Sequence, residues 1–286
     1  MTTTTSVAEQ AAGQALPLTW EPDPLVCMLL VIVAATYAAG ATRQWRERRL
    51  PKDAMSRGLS FAAGIGLLVL TLLSPLDAWG DQLFSAHMAQ HLILMMAAPP
   101  LLVLGRPVVV TLWSLPRTLR HTVAASWLRG RFVRPLLDFL GAPLPAWLLV
   151  SASLWFWHLP RPYTSAFTHP LAHALEHLSF FLTAILFWRV VIDGARQGRL
   201  SLGATMLFVV TFAMENAMLA AILIFAPRVL YAVHAVAPAW SPLTPIEDQQ
   251  LAGVLMWSVT GVVDLFALCL LFVAWLASGE RRARRS

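Results

Sequence analysis

The chain has little charge and almost no cysteine. Charged residues make up 13% of its 286 positions, about half of what the surface of a soluble domain this size ordinarily carries. Its two cysteines, Cys27 and Cys269, form no Cys-x-x-Cys metal motif, and nothing here reads as a disulfide framework. A phosphate-binding glycine loop, a nucleophile elbow and a His-Glu-x-x-His pair are also missing, which removes the usual machinery of nucleotide-dependent enzymes and hydrolases. No internal repeat of the kind that builds inverted-repeat transporters is visible. The loops, the longest at about 105–141 and 227–249, are too short to bury a core of their own.

What is present is apolar and continuous. Hydrophobic residues make up 58% of the chain and mean hydropathy is +0.65. A hydrocarbon core of about 30 Å needs about 20 apolar residues per helical span. Runs at about 25–42, 57–75, 83–104, 142–158, 171–190, 201–226 and 250–277 meet this length or come close to it. The runs do not alternate, so helices are favoured over a barrel, since a helix satisfies its own backbone polar groups. The reading is an all-α polytopic membrane protein of seven transmembrane helices: residues 1–24 an external polar tail, 25–277 the membrane domain, 278–286 a basic cytoplasmic tail. Residues 1–24 lack the basic stretch leading into an apolar one that marks a cleaved signal.

The net charge of +6 reflects topology, not a nucleic-acid partner, because the arginines cluster between alternate spans. Arg43, Arg46, Arg48, Arg49, Lys52 and Arg57 lie between spans one and two, and Arg106, Arg117, Arg120, Arg129, Arg131 and Arg134 between three and four. Arg189, Arg196 and Arg199 follow span five, while the opposite loops offer only Arg161 and Arg228. The positive-inside rule then places the N-terminus outside and the C-terminus in the cytoplasm. On this topology Cys27 and Cys269 fall near opposite faces, beyond the ~7 Å Cα separation a disulfide tolerates. An amphipathic helix near 112–129, with Trp113 and Trp127, suits the cytoplasmic interface. Trp79, Trp155, Trp157 and Trp240 read as an external aromatic belt, and Asp77 and Asp81 as solvated loop charges. Pro99 and Pro100 should kink span three or end it early.

All eight histidines except His121 fall toward the outer side. Ionisable residues inside a membrane point to function by default, and two spans carry ladders: His87, His91 and Met95 on one, His169, His173 and His177 on the other. Residues four apart share a helix face, ~6 Å apart along the axis, so His87 and His91 can converge on one ion, and His173 and His177 repeat the geometry at matching depth. A lone histidine at a helix end, such as His158, His169 or His234, is ordinarily an interfacial side chain, and a methionine in an apolar helix is ordinarily packing. Imidazole suits copper, zinc and iron, and thioether sulfur favours Cu(I), so copper leads, with His87, His91, His173 and His177 as ligands and Met95, Met214, Met218, His158 and His169 as further candidates. Glu176 and Glu215 can stand behind the ligands as acceptors that orient an imidazole; Glu215 with Asn216, and Asp264, also fit as hydrogen-bond glue between helices. Two alternatives stay open: a haem held by histidines from two helices, and a transporter of metal or protons along Glu215, Asp264 and the histidines.

Several segments together resemble a known family: Ala86-His-Met-Ala-Gln-His91, Ala97-Ala-Pro-Pro-Leu-Leu-Val-Leu-Gly-Arg-Pro107, Trp157-His-Leu-Pro160, His169-Pro-Leu-Ala-His-Ala-Leu-Glu-His177 with Leu186-Phe-Trp188, and Asp248-Gln-Gln-Leu-Ala-Gly-Val-Leu-Met-Trp257. Their order and spacing are similar to the seven-span cytochrome c oxidase assembly factors named CtaG, which are unrelated to a single-span copper chaperone of the same name. The resemblance implies a non-enzymatic role in maturing a haem-copper oxidase in the plasma membrane, in formation of its copper centre, with the oxidase subunit carrying that centre as partner. It places His87, His91, His173 and His177 at the family's histidine positions and adds Asp248, beside Glu176, as a supporting residue. Where the family often has a small residue before Phe-Trp, this chain has Ile185-Leu186.

The charge pattern makes a direct prediction. Green fluorescent protein fused after Ser286 should fluoresce and alkaline phosphatase at the same point should be inactive; an active phosphatase there would invert the topology.

Overall fold

The computed structural model describes residues 18, 20, 22–129, 133–194 and 200–283. Most of the expected external tail, and residues 284–286 of the expected basic tail, lie outside them. Seven apolar helices build the membrane domain: α1 Pro24–Arg46, α2 Ala54–Leu73, α3 Phe84–Gly105, α4 Pro143–Trp157, α5 Pro170–Asp193, α6 Leu202–Phe225 and α7 Pro245–Ala283. Six are long and apolar enough to cross a bilayer, and α4, at 15 residues, is shorter. No strand occurs among the described residues. The protein is an all-helical membrane protein.

Local chemistry starts these helices where the apolar runs begin. The Asp23 carboxylate accepts from the amides of Leu25 and Val26 at 2.7 and 3.0 Å, and the Ser201 hydroxyl accepts from Ala204 N–H, each answering amides that lack an intrahelical partner. Helix α7 begins five residues before the expected 250 because Thr244 and Glu247 form a reciprocal capping box: Glu247 accepts from Thr244 N–H at 2.8 Å, and Thr244 Oγ1 accepts from Glu247 N–H. It continues through Ala283, so the first part of the expected basic tail is helical. The interfacial helix spans Arg117–Arg129 rather than 112–129, since Pro116 resets the backbone after a separate turn of helix at Pro107–Leu112. One short helix, Pro160–Thr168, lies where only a loop was expected.

Helix α3 is the axis of the bundle. Its apolar stretch is 67% buried, against 11% for α1, and it packs against α2, α5 and α7. Its N-terminal half, Phe84–Leu92, is regular α-helix. Pro99 and Pro100 neither end it nor stop it early. A turn of π-helix, Ile93–Ala97, precedes them, and the helix runs on to Gly105. The reason lies in the missing proline amide: Pro99 cannot donate to Met95 O, and the indole Nε1 of Trp188 on α5 donates to that carbonyl instead, at 2.9 Å. The wider π-turn makes room for the exchange.

The other end of α3 is capped in trans. Leu83, at the N-cap, offers no side-chain acceptor. Asp248 of α7 supplies it, accepting from Phe84 N–H at 2.7 Å, Ser85 N–H at 3.2 Å and the Ser85 hydroxyl at 2.5 Å. Gln90, fully buried, donates to Thr71 O at 3.0 Å and to Asp77 Oδ1 at 2.8 Å. Asp77 is therefore not a solvated loop charge, and burial raises its carboxyl above the usual range despite the bond from Gln90. Trp157 likewise leaves the expected aromatic belt: it is buried and donates to Ser179 Oγ at 2.7 Å.

An unpaired buried donor or acceptor costs about 1–3 kcal/mol. Asp248→Ala, which strands two amides and a hydroxyl, should lower stability by several such units' worth, and Trp188→Phe, which strands one carbonyl, by about 1–3 kcal/mol. Thermal unfolding in detergent checks both; equal, small shifts for the two variants would refute the ranking.

Candidate metal centre

The four ladder histidines meet. Helix α3 presents His87 and His91 from its regular half and α5 presents His173 and His177, at the end the charge pattern assigns to the outside. Ring centroids are 4.2 Å apart within each ladder, 5.7 Å between His87 and His173, 5.3 Å between His91 and His177, and 6.0 Å between His87 and His177. Donor atoms of His87, His91 and His177 lie within 4.8 Å of one another, as do those of His173, Glu176 and His177.

Glu176 lies against this set. It is fully buried; its Oε2 lies 3.6 Å from His87 Nε2 and its Oε1 3.8 Å from His91 Nε2. Those separations are too long for hydrogen bonds, yet they suit two atoms sharing one ion at about 2.0–2.2 Å each. None of the facing atoms has a protein partner: His87 Nε2, both nitrogens of His91, His173 Nε2, His177 Nε2 and both Glu176 oxygens are buried and unbonded. Buried polar atoms are nearly always paired, so seven in one place, of which six can offer a lone pair at once because the neutral His91 ring has only one, have the chemistry of a cation site.

The remaining candidates separate. Met95 is buried in the π-turn and lines, with His91 and His158, a cavity of about 20 Å³ on the inner side of the cluster, shared with Met88, Met96, Met256, Asn216 and Thr260. His158 is buried; its Nδ1 bonds Leu154 O at 2.8 Å and its own carbonyl accepts from the Tyr231 hydroxyl at 2.8 Å. Met214 and Met218 are corrections: at 67% and 54% exposure they line the outer face of α6, whose inner face carries Phe212, Asn216, Leu219 and Leu223. Their i,i+4 spacing fixes a shared face but not which one. His169 is exposed at the N-cap of α5, in extended backbone ahead of Pro170, and stays outside the cluster. Glu215, about 100° round the helix from Asn216, is partly buried and pairs with none of the four imidazoles. Asp248 acts on the backbone of α3, as described above, and so positions His87 rather than orienting a ring.

A roof closes the cluster, and sequence reasoning missed it. Phe84, Tyr163, Tyr231 and His234 pack together, with Tyr163 and Tyr231 4.1 Å apart, Phe84 edge-on to Tyr163 at 5.5 Å, and Tyr163 edge-on to His87 at 5.6 Å. The Tyr163 hydroxyl bonds His234 Nε2 at 2.7 Å. Burial lowers the His234 imidazole to about 4, leaving it uncharged at neutral pH. The available signal was scarcity: two of the chain's three tyrosines fall in the external loops.

Comparison with known proteins adds identity to this geometry. Uncharacterized proteins of Mycobacterium bovis and Mycobacterium tuberculosis are each 30% identical to the chain over 278 residues, covering 93% of it and 40% of their own length. An uncharacterized protein of Mycobacterium leprae is 25% identical over 272 residues, covering 93% of the chain and 41% of its own length. The chain thus spans about two fifths of the length of these curated relatives. No solved structure matches it significantly. Residues 35–278 match the family described as cytochrome c oxidase caa3 assembly factor, a match that takes in all seven helices apart from the ends of the first and last, and the chain belongs to that family.

Proposed function

We propose that this protein is a non-enzymatic assembly factor of the plasma membrane that holds copper as cargo on His87, His91, His173 and His177, with Glu176, and passes it to the subunit of cytochrome c oxidase that carries the copper centre. The observation that carries the reading is the convergence of seven buried, unbonded donor atoms from α3 and α5. Charge supports a monovalent ion. Four neutral imidazoles and one carboxylate sum to −1, so Cu(I) leaves the set neutral, whereas a divalent ion leaves a positive charge in a medium where isolated charge is costly. The ring-against-ring packing of the imidazoles, with a carboxylate beside them, favours a point ligand over a macrocycle, which would need its axial histidines on opposite faces.

What the residues do follows from their setting. Asp248 and Gln90 hold α3 in register so that its two imidazoles face α5. Tyr163 and Tyr231, with their hydroxyls occupied, shield the set from water on the loop side. Neutral imidazoles exchange as ligands without separating charge, which suits a carrier that must release what it holds.

Protein purified from its native membrane should contain copper by mass spectrometry and show no Soret band. His91→Ala/His177→Ala should retain at least tenfold less copper and fail to restore oxidase activity to a deletion strain. His169→Ala and Met214→Leu/Met218→Leu should match the parent in both assays. Metal-free parent protein, a haem spectrum, or normal oxidase maturation by the double-histidine variant would each overturn the reading.

A further inference from the structure

Beneath the imidazole and carboxylate set lies a second, chemically different chamber. Four methionines line it, Met88, Met95 and Met96 from α3 and Met256 from α7, together with His91 and His158. All six are buried. Its volume of about 20 Å³ exceeds the roughly 10–15 Å³ that one water-sized sphere requires, so it is large enough for a single ion and for nothing much larger.

Two features distinguish this chamber from ordinary methionine packing. The first is His158. Its Nδ1 faces the carbonyl of Leu154 at 2.8 Å, and because a carbonyl can only accept, that nitrogen carries the proton. Nε2 is then left with a lone pair, buried and unbonded, in a residue that lines the cavity. The second is His91, which has no partner on either ring nitrogen. Its Nε2 faces Glu176, and the ring also lines the chamber, so this one side chain borders both places. Of the other four lining residues Leu92 and Leu154 are apolar, Asn216 Nδ2 donates to Phe212 O at 3.0 Å and Thr260 Oγ1 donates to Met256 O at 2.5 Å.

Thioether sulfur with neutral imidazole is a soft donor set that suits Cu(I) and discriminates against magnesium and manganese. The upper set, with its carboxylate, is harder. Asp264 stands one turn beyond Thr260 on α7, ~6 Å along the axis, and both its oxygens are buried without a partner.

We infer that the methionine-lined chamber is a second metal site, selective for Cu(I), held by its thioethers and His158 Nε2, with His91 bordering both places and offering its single lone pair to one ion at a time. This rests on the proposed function only for the identity of the cargo; the chamber's softness is a property of its own donors. The occupancy it predicts is two Cu(I) per chain, the inner ion bound through sulfur.

Full-length protein in detergent, titrated anaerobically with Cu(I) against a chromophoric chelator, should take up two equivalents, with sulfur scattering in the copper X-ray absorption spectrum. His158→Leu, and separately Met95→Leu/Met256→Leu, should weaken the second equivalent at least tenfold and leave the first unchanged, the methionine variant also losing its sulfur signal. Methionine-to-leucine exchange conserves volume and is well tolerated in packed cores. Glu176→Gln/His173→Ala should do the converse, weakening the nitrogen-bound equivalent while the sulfur-bound one persists. Uptake of a single equivalent, or of two with nitrogen and oxygen coordination only, overturns the second site and leaves the upper one standing. A sulfur-bound equivalent with no nitrogen-bound one overturns the upper site alone. Equal uptake of zinc in the chamber would show that it is not selective and defeat the inference.

Discussion

Within a bilayer the polar groups of a protein have no water to fall back on, and this fold is organised around meeting that demand from inside. Where Pro99 leaves Met95 O without its helical donor, Trp188 supplies one from the neighbouring helix. The first amides of α3 find no acceptor in Leu83, and the Asp248 carboxylate reaches them from α7. Gln249 bonds Leu223 O with its amide nitrogen and Leu230 N–H with its amide oxygen, stitching α6, α7 and the loop between them. Each of these groups would cost about 1–3 kcal/mol if left unpaired. Set beside that thoroughness, the seven unbonded atoms of His87, His91, His173, Glu176 and His177 are not careless packing. Other buried side-chain atoms without a partner, such as Trp147 Nε1, Ser151 Oγ and both Asp264 oxygens, are scattered, whereas these lie together and all but the protonated nitrogen of His91 can donate an electron pair. That concentration is what supports the proposed metal reading.

Much of this was legible in the residues alone. Continuous apolar runs fixed the helices to within a few positions, because hydrocarbon thickness sets their length, and the i,i+4 ladders at His87/His91 and His173/His177 fixed two faces that had to face something. What the pattern could not supply was the direction of a face. Met214 and Met218 have the same spacing as the histidines and point outward, since periodicity records only that residues share a side. The position of Glu176 between two ladder residues gives no measure of how near its carboxylate comes to the imidazoles of the other helix, 3.6 Å from His87 Nε2 and 3.8 Å from His91 Nε2. The π-turn before Pro99 was hidden because its stabilising partner, Trp188, is ninety-three residues away. By contrast the capping box Thr244-Pro-Ile-Glu247 was readable and would have placed the start of α7 correctly.

The segments that carry the family resemblance turn out to be joints as much as ligands. Ala97-Ala-Pro-Pro and Leu186-Phe-Trp188 meet at the indole-to-carbonyl bond on Met95. Asp248-Gln-Gln caps α3 and ties down the loop after α6. Trp157-His-Leu-Pro160 contributes one buried indole bonded to Ser179 and one imidazole in the inner chamber. The proposed two-helix site would demand that the helices' relative rotation be held to within a fraction of a coordination sphere, and long-range hydrogen bonds at the start and middle of α3 hold that helix in place.

The arrangement of donors also bears on how an ion could move through such a protein at all. A bare cation crossing low-dielectric surroundings meets a penalty of tens of kcal/mol, so no path through the bundle can include a step in which the ion is free. Transfer has to occur by exchange, a new ligand binding before an old one leaves. That requires neighbouring sites to lie within one ligand's reach, and a side chain that belongs to both satisfies this without any large motion. His91 is such a side chain: one edge faces Glu176 at 3.8 Å and the ring also borders the methionine chamber. On the proposed copper reading, the step from carboxylate and imidazole to imidazole and thioether would favour a soft monovalent ion at the inner place.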